Sequence, residues 1–236
     1  MTDTETDTPA LRGYADGQAD KRVAKARKIE HLIGSVAGKR LLDLGAGSGL
    51  LSTYFASRGA DVTAADRDTS TFQPDLPVVT IDGDDLPFGD ASFDIVIFNH
   101  VIEHVGDRPA QGHVLDEISR ILKPGGQLYI AVPNRYAPVE PHFRLPFLGA
   151  LPRGLADAMV RKWRGHARYD CYPLSRSQFM DLLEPRFARV EDKTADAFHF
   201  AVRHEMGASP LRLVPRAVAR MAGPVYPTLI ALATKA

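Results

Sequence analysis

Short apolar runs, rich in Val, Ile and Leu, alternate along this chain with stretches of helical spacing, and that alternation narrows the possible folds more than any other feature. The runs are RLLDLG at 40–45, DVTAAD at 61–66, PVVTID at 77–82, FDIVIFN at 93–99 and QLYIAVPN at 127–134. Between them lie GLLSTYFASRGA and VLDEISRILKPGG, with ADKRVAKARKIEHLI ahead of the first. Apolar strands separated by helices predict a parallel sheet buried on both faces. Right-handed crossovers make such a sheet doubly wound. Further along, SRSQFMDLLEPRF reads as a helix capped by Ser175 or Ser177, and ARVEDKTAD and YPTLIALATK as the last two strands. Two segments break the pattern. Residues 136–174 are rich in Pro, Arg and aromatics, and 197–225 are expected to loop out between the last strands. Residues 1–13 are expected to form a disordered tail, with a single domain from 14 to 236.

Composition excludes several alternatives. Cys171 is the one cysteine, so neither an internal disulfide nor a cysteine-rich zinc site can form. No stretch approaches the roughly 18 apolar residues that span a bilayer. The first ten residues, MTDTETDTPA, are polar and acidic and do not resemble a secretory signal. The expected location is the cytoplasm. Net charge is zero, which gives no global field for nucleic acid. Residues 1–100 hold 10 Lys and Arg against 16 Asp and Glu, whereas 101–236 hold 19 against 13. The basic second half suits an anionic substrate or a membrane surface.

The richest local signal is LLDLGAGSG at 41–49, a strand that runs into Gly45, Gly47 and Gly49 ahead of a helix. Glycine permits the tight turn and lets a ligand approach the backbone. The following helix N-terminus presents free N–H groups. The spacing is G-x-G-x-G rather than the G-x-G-x-x-G of dinucleotide sites. Asp43 precedes the loop and suits a ligand bearing an ammonium group. Asp66 ends the second strand and can accept from both hydroxyls of a ribose. After the third strand Asp82 is placed to accept from an adenine amino group, with the N–H of Gly83 or Asp84 meeting a ring nitrogen. Asn99 and His100 follow the fourth strand at the mouth of the sheet.

Taken in order, these motifs resemble the class I S-adenosylmethionine-dependent methyltransferases, in particular the type 11 group acting on small molecules and lipids. LLDLGAGSG, VTAAD, DGDDLPFGDASFDIVIFNHVIEHV and ILKPGGQLYIAVPN carry the resemblance, which covers about residues 14–134 well. It implies a Rossmann-like α/β fold with an antiparallel last strand and a methyl transfer from S-adenosylmethionine that leaves S-adenosylhomocysteine. By the same resemblance Gly45, Ala46, Gly47 and Gly49 wrap the methionine part, Ala46 standing where the family often has Cys. Asp66, with Arg67 beside it, holds the ribose, and Asp82 and Gly83 hold the adenine.

A sulfonium methyl is already activated, so such an enzyme chiefly aligns a nucleophile and excludes water. A hydroxyl or carbon nucleophile gains from a general base, and His100, His104 and His142 are the candidates. Asn134, Arg135, His142 and Trp163 are candidate substrate contacts. The segment 136–174 is expected to cap the site, its helical LADAMVRKWRG carrying Leu155, Met159 and Trp163 on one face. Residues 208–225 are amphipathic and basic, suiting core docking, dimerisation or peripheral membrane contact. His100-Val-Ile-Glu103-His104 also fits the H-x-x-E-H pattern of inverted zinc peptidases. No third ligand is evident and the Glu is ordinary in the resembling family, so no metal is expected. Competing functions are aminopropyl transfer, which the basic second half disfavours, and non-catalytic nucleoside binding, which the intact glycine loop disfavours.

Overall fold

The computed structural model describes residues 16–83, 85–205 and 226–236. Strands β1 (Arg40–Leu44), β2 (Asp61–Asp66), β3 (Val78–Thr80), β4 (Phe93–Asn99), β5 (Leu122–Pro133), β6 (Arg189–Asp192) and β7 (Thr228–Thr234) form one sheet among the described residues. Its order is β3-β2-β1-β4-β5-β7-β6. The pairs from β3 to β5 are parallel, and β7 runs antiparallel to both β5 and β6. The doubly wound, mostly parallel fold anticipated from the apolar runs is therefore present.

Alternation along each strand sends neighbouring side chains to opposite faces. Leu42, Val96, Phe98 and Ile130 pack on one face with Leu115 and Ile118 of helix α4 (Arg108–Ile121) and Leu182 and Leu183 of α6 (Arg176–Leu183). Leu41, Ile95, Ile97 and Tyr129 pack on the other with Ile29 of α1 (Asp16–Ile33), Phe55 of α2 (Leu50–Ser57) and Ala197 of α7 (Thr194–His204). Each fully buried Leu, Ile or Phe contributes about 1.5–3 kcal/mol relative to exposure, so the two layers clamp the sheet. A short α3 (Ile102–Val105) follows β4.

Several boundaries differ from expectation. α4 starts earlier than Val114, because Asp107 caps it by accepting from the Ala110 N–H and Pro109 fits the first turn. Ser175, not Ser177, caps α6, in a reciprocal capping box with Gln178. The strand expected over 188–196 ends at Asp192, and α7 takes up the end of that run and the start of the expected loop 197–225; its buried Thr194, Ala197 and Val202 give it a packed face. The rest of that proposed segment, including the basic stretch 208–225, lies outside the described residues, as do the tail 1–13 and Asp84.

The segment 136–174 folds over its own small core of Leu145, Leu148, Ala156, Val160, Tyr169 and Cys171. Within it lie a 3-10 turn at Leu148–Ala150 and helix α5 (Arg153–Arg164). The packed face of α5 is Ala156 and Val160, whereas Leu155 and Trp163 are 60% and 52% exposed. The expected stripe of Leu155, Met159 and Trp163 is thus mostly outward-facing. Among the described residues, no helix is long and apolar enough to cross a membrane.

Candidate functional site

A cavity of about 510 Å³ opens at the carboxyl ends of β1, β2 and β4. This is the crevice where parallel α/β sheets place their ligands, and its volume lies in the range of small-molecule sites. Gly45, Asp66, Arg67 and Gly83 line one side. Leu86, Phe98, Val101, Val105 and Val114 supply an apolar wall, and His100, His104 and His113 stand along it.

The glycine loop is shaped by two constraints. Gly45 N–H donates to the Ala65 carbonyl at 2.7 Å, which ties the loop to β2. A methyl on Gly45 would overlap Val101 Cγ2, so only glycine lets the loop lie against the segment after β4. Gly47 has φ +53° and open space where a Cβ would stand, a concave stretch of backbone that only glycine adopts cheaply. Asp66 Oδ2 accepts the Gly47 N–H at 2.7 Å and Oδ1 accepts the Asp68 N–H at 3.1 Å. Its carboxylate is therefore fixed at the loop before any ligand arrives, with lone pairs to spare. Arg67 reaches across to the Gly83 carbonyl at 3.3 Å and holds the turn after β3 against the same edge.

Other expected contacts stand elsewhere. Asp43 is 2% exposed, does not line the cavity and accepts from Ser52 Oγ at 2.7 Å. Burial raises its pKa to about 6, against the opposing Ser52 bonds and with a small push from Asp66. It braces β1 against α2 rather than facing a ligand ammonium. Asp82 is exposed at the rim, and only its neighbour Gly83 reaches the lining. Asn99 is partly buried at the end of β4 and is not part of the wall. Asn134 is also displaced from the expected substrate role. It is buried, its amide donates to the Tyr226 carbonyl at 2.8 Å, and its carbonyl accepts the Tyr136 N–H at 3.0 Å. Arg135 lines a separate cavity of about 240 Å³ together with Arg108 and Arg153. Trp163 lines neither cavity.

The three candidate imidazoles do come together. His142 lies 5.9 Å from His100 and 5.3 Å from His104 between ring centroids. His100 ends the turn after β4 with φ +59°, a left-handed conformation that a non-glycine residue keeps only when its surroundings enforce it. Its N–H donates to the Ala131 carbonyl, which fixes that turn to β5. Burial holds the His100 pKa below the usual imidazole value, against the pull of Glu103. His142 Nδ1 lies 3.0 Å from Glu140 Oε1, and that carboxylate raises its pKa. Burial alone would raise Glu140, but the bonds from His142 and the Phe143 N–H bring it below its ordinary value. Glu103, which the sequence offers only within the H-x-x-E-H pattern, and Glu140, which it does not single out, are both 2% exposed or less. The H-x-x-E-H pattern and the Val-Glu-Pro-His run were the signals that contained them.

Comparisons with known proteins place the chain in a family. The family described as "Methyltransferase domain" matches residues 42–130. A demethylmenaquinone methyltransferase of Clavibacter sepedonicus is 39% identical over 118 residues, 46% of this chain and 45% of that protein. A ubiquinone biosynthesis O-methyltransferase of Xylella fastidiosa is 31% identical over 186 residues, 67% of this chain and 71% of that protein. The chain spans less than half the length of the demethylmenaquinone enzymes it matches first. An S-adenosylmethionine-dependent methyltransferase from Mesorhizobium loti superposes with TM-score 0.59 at 18% identity, covering 90% of this chain and 98% of that one. That likeness is one of fold. The chain belongs to the class I S-adenosylmethionine-dependent methyltransferases.

Proposed function

We propose that the protein transfers a methyl group from S-adenosylmethionine to a small-molecule or lipid-like acceptor. The observation that carries this reading is the convergence of Gly45 at the start of the glycine loop, the Asp66 carboxylate that holds Gly47 N–H, and Gly83 on one cavity. The residues fit the cofactor. The loop backbone takes the amino-acid end, Asp66 accepts from the ribose hydroxyls, and the turn at Asp82 and Gly83 reads the adenine. The cofactor supplies an electrophilic methyl group on a sulfonium leaving group.

The chain's own residues then have three tasks. The apolar wall of Leu86, Val101, Val105 and Val114 excludes water from the reacting atoms and accepts an apolar acceptor. The segment 136–174 sets His142 against His100 and His104 at the cavity wall. His104, which lines the cavity, would take the proton from the acceptor's nucleophile, and the bound cofactor would supply the methyl group to it. The quinone-directed relatives support an aromatic or isoprenoid acceptor. The exposed Trp163 with Arg161, Lys162 and Arg164 suits contact with an anionic membrane surface that holds such a molecule. The single buried thiol fits a cytoplasmic enzyme.

Calorimetry with S-adenosylhomocysteine, S-adenosylmethionine and NAD tests the first step. Binding of the two adenosyl sulfur compounds alone is expected, and binding of NAD alone would remove the proposal. Incubating cell extract with methyl-labelled cofactor then identifies the acceptor by the molecule that gains label.

A further inference from the structure

Glu103 is an anomaly that methyl transfer does not explain. It is 0% exposed, and neither carboxylate oxygen accepts a hydrogen bond. Burying a carboxylate this way is costly unless a cation meets it. Its Oε1 lies 3.3 Å from His100 Nδ1 and 3.5 Å from His142 Nε2. These atoms are within reach of one another yet not aligned as donor and acceptor. A cation lying among the three would meet both imidazoles and the carboxylate at once.

The two carboxylate-to-imidazole spacings match the edges of a coordination polyhedron. Ligand atoms about 2.0–2.2 Å from a tetrahedral zinc-class ion stand roughly 3.3–3.5 Å apart. His100, Glu103 and His142 offer one ligand atom each, all within 4.8 Å of one another. The outer contacts fit as well. A metal-bound imidazole normally gives its second nitrogen to a carboxylate, carbonyl or hydroxyl, which fixes its tautomer. His142 Nδ1 meets Glu140 at 3.0 Å, and His100 Nε2 lies 3.5 Å from Thr228 Oγ1. Two of the donors come from the H-x-x-E-H run, though not the pair of histidines that the peptidase pattern uses, and the third comes from the segment 136–174.

We propose that His100 Nδ1, Glu103 Oε1 and His142 Nε2 bind one divalent first-row transition-metal ion, zinc being the best match, at the wall of the methyl-transfer cavity. Two imidazoles and one carboxylate are the donor set that such ions favour over magnesium or calcium. Three protein ligands leave a coordination position open, as in catalytic rather than structural zinc sites. His100 lines the cavity, so an acceptor oxygen entering there can reach the ion and be held as an oxyanion. Only this last role rests on the methyl-transfer reading; the site itself does not.

The test uses tag-free, chelator-dialysed full-length protein titrated with Zn²⁺ by calorimetry and with Co²⁺ by visible absorption. One ion per chain is expected, with the Co²⁺ spectrum of a low-coordinate nitrogen and oxygen site. Glu140→Gln should weaken binding about 10–100-fold, the usual effect of losing an outer-shell partner. His142→Ala and Glu103→Gln should each weaken it by more than that. S-adenosylhomocysteine affinity, measured on the same samples, reports that each variant is folded, and His142→Ala serves if Glu103→Gln fails that check. Absence of stoichiometric Zn²⁺ and Co²⁺ binding, or binding kept in folded His142→Ala, overturns the site. Metal binding without S-adenosylhomocysteine binding would instead remove the methyl-transfer reading and leave the site standing.

Discussion

Replacing Asp66 by Ala separates two roles that the structure places on one carboxylate. Its oxygens accept from Gly47 N–H at 2.7 Å and from Asp68 N–H at 3.1 Å, so the wild-type loop is organised before ligand binds. A carboxylate has about four acceptor sites, which leaves roughly two for a sugar diol. Hydrogen bonds to a charged group contribute about 1.5–3 kcal/mol each, and water competes for them in the free state. We expect Asp66→Ala to weaken S-adenosylhomocysteine binding by about 2–3 kcal/mol, or roughly 30–150-fold. Part of that loss comes from relaxing the loop rather than from the sugar. Calorimetry with the 2′,3′-dideoxyribose analogue distinguishes the parts, because loop relaxation penalises both ligands equally. The analogue should bind wild type weakly and lose little more in Asp66→Ala, giving a coupling of about 1.5–2 kcal/mol. Additive losses, with no coupling, would refute the sugar contact while leaving the loop contact intact.

Other outcomes follow from the same geometry. Asp43, buried with its pKa raised from 3.8 to about 6, binds its proton more tightly folded than unfolded, so its ionisation opposes folding. The penalty is absent below about pH 4, grows as pH rises, and is complete above pH 6 at about 3 kcal/mol; in urea titrations from pH 4 to 7 the stability of Asp43→Asn relative to wild type should rise across that window, and a constant difference would contradict the shift. His104→Ala should lower turnover about 10²–10⁴-fold while S-adenosylhomocysteine affinity stays unchanged, and full turnover would end its role as proton acceptor. Gly45→Ala should destabilise the fold by about 1–3 kcal/mol through overlap with Val101, read as a lower urea midpoint. Ser175→Ala should cost about 1 kcal/mol by removing the α6 cap, with cofactor affinity unaltered.

What the sequence revealed and what it hid have separate physical causes. The central strands were legible because buried parallel strands leave unbroken apolar runs and glycine punctuates their ends. The placing of Asp43 was legible in the alternation: Leu42 and Leu44 share one face, so Asp43 points to the other, where Ser52 of α2 donates to it. α7 was hidden because Phe, His, Thr and Val are indifferent helix formers, and its helix is held by packing on α1 and β7 rather than by propensity. On α5 the large residues drew attention, yet Ala156 and Val160 are the ones that fit the close contact with Leu145 and Leu148. The same limit governs the imidazole cluster. His100, Glu103 and His104 are adjacent in sequence and were singled out together, but their chemical meaning depends on His142. That residue arrives from a segment whose path is set by its own small core and by the buried Asn134 anchor at its start. Local spacing can bring two ligands to one turn; the third must come by tertiary packing. For this reason a one-residue change inside that small core, remote from every imidazole, should disturb the cluster more than a change on the exposed face of α5.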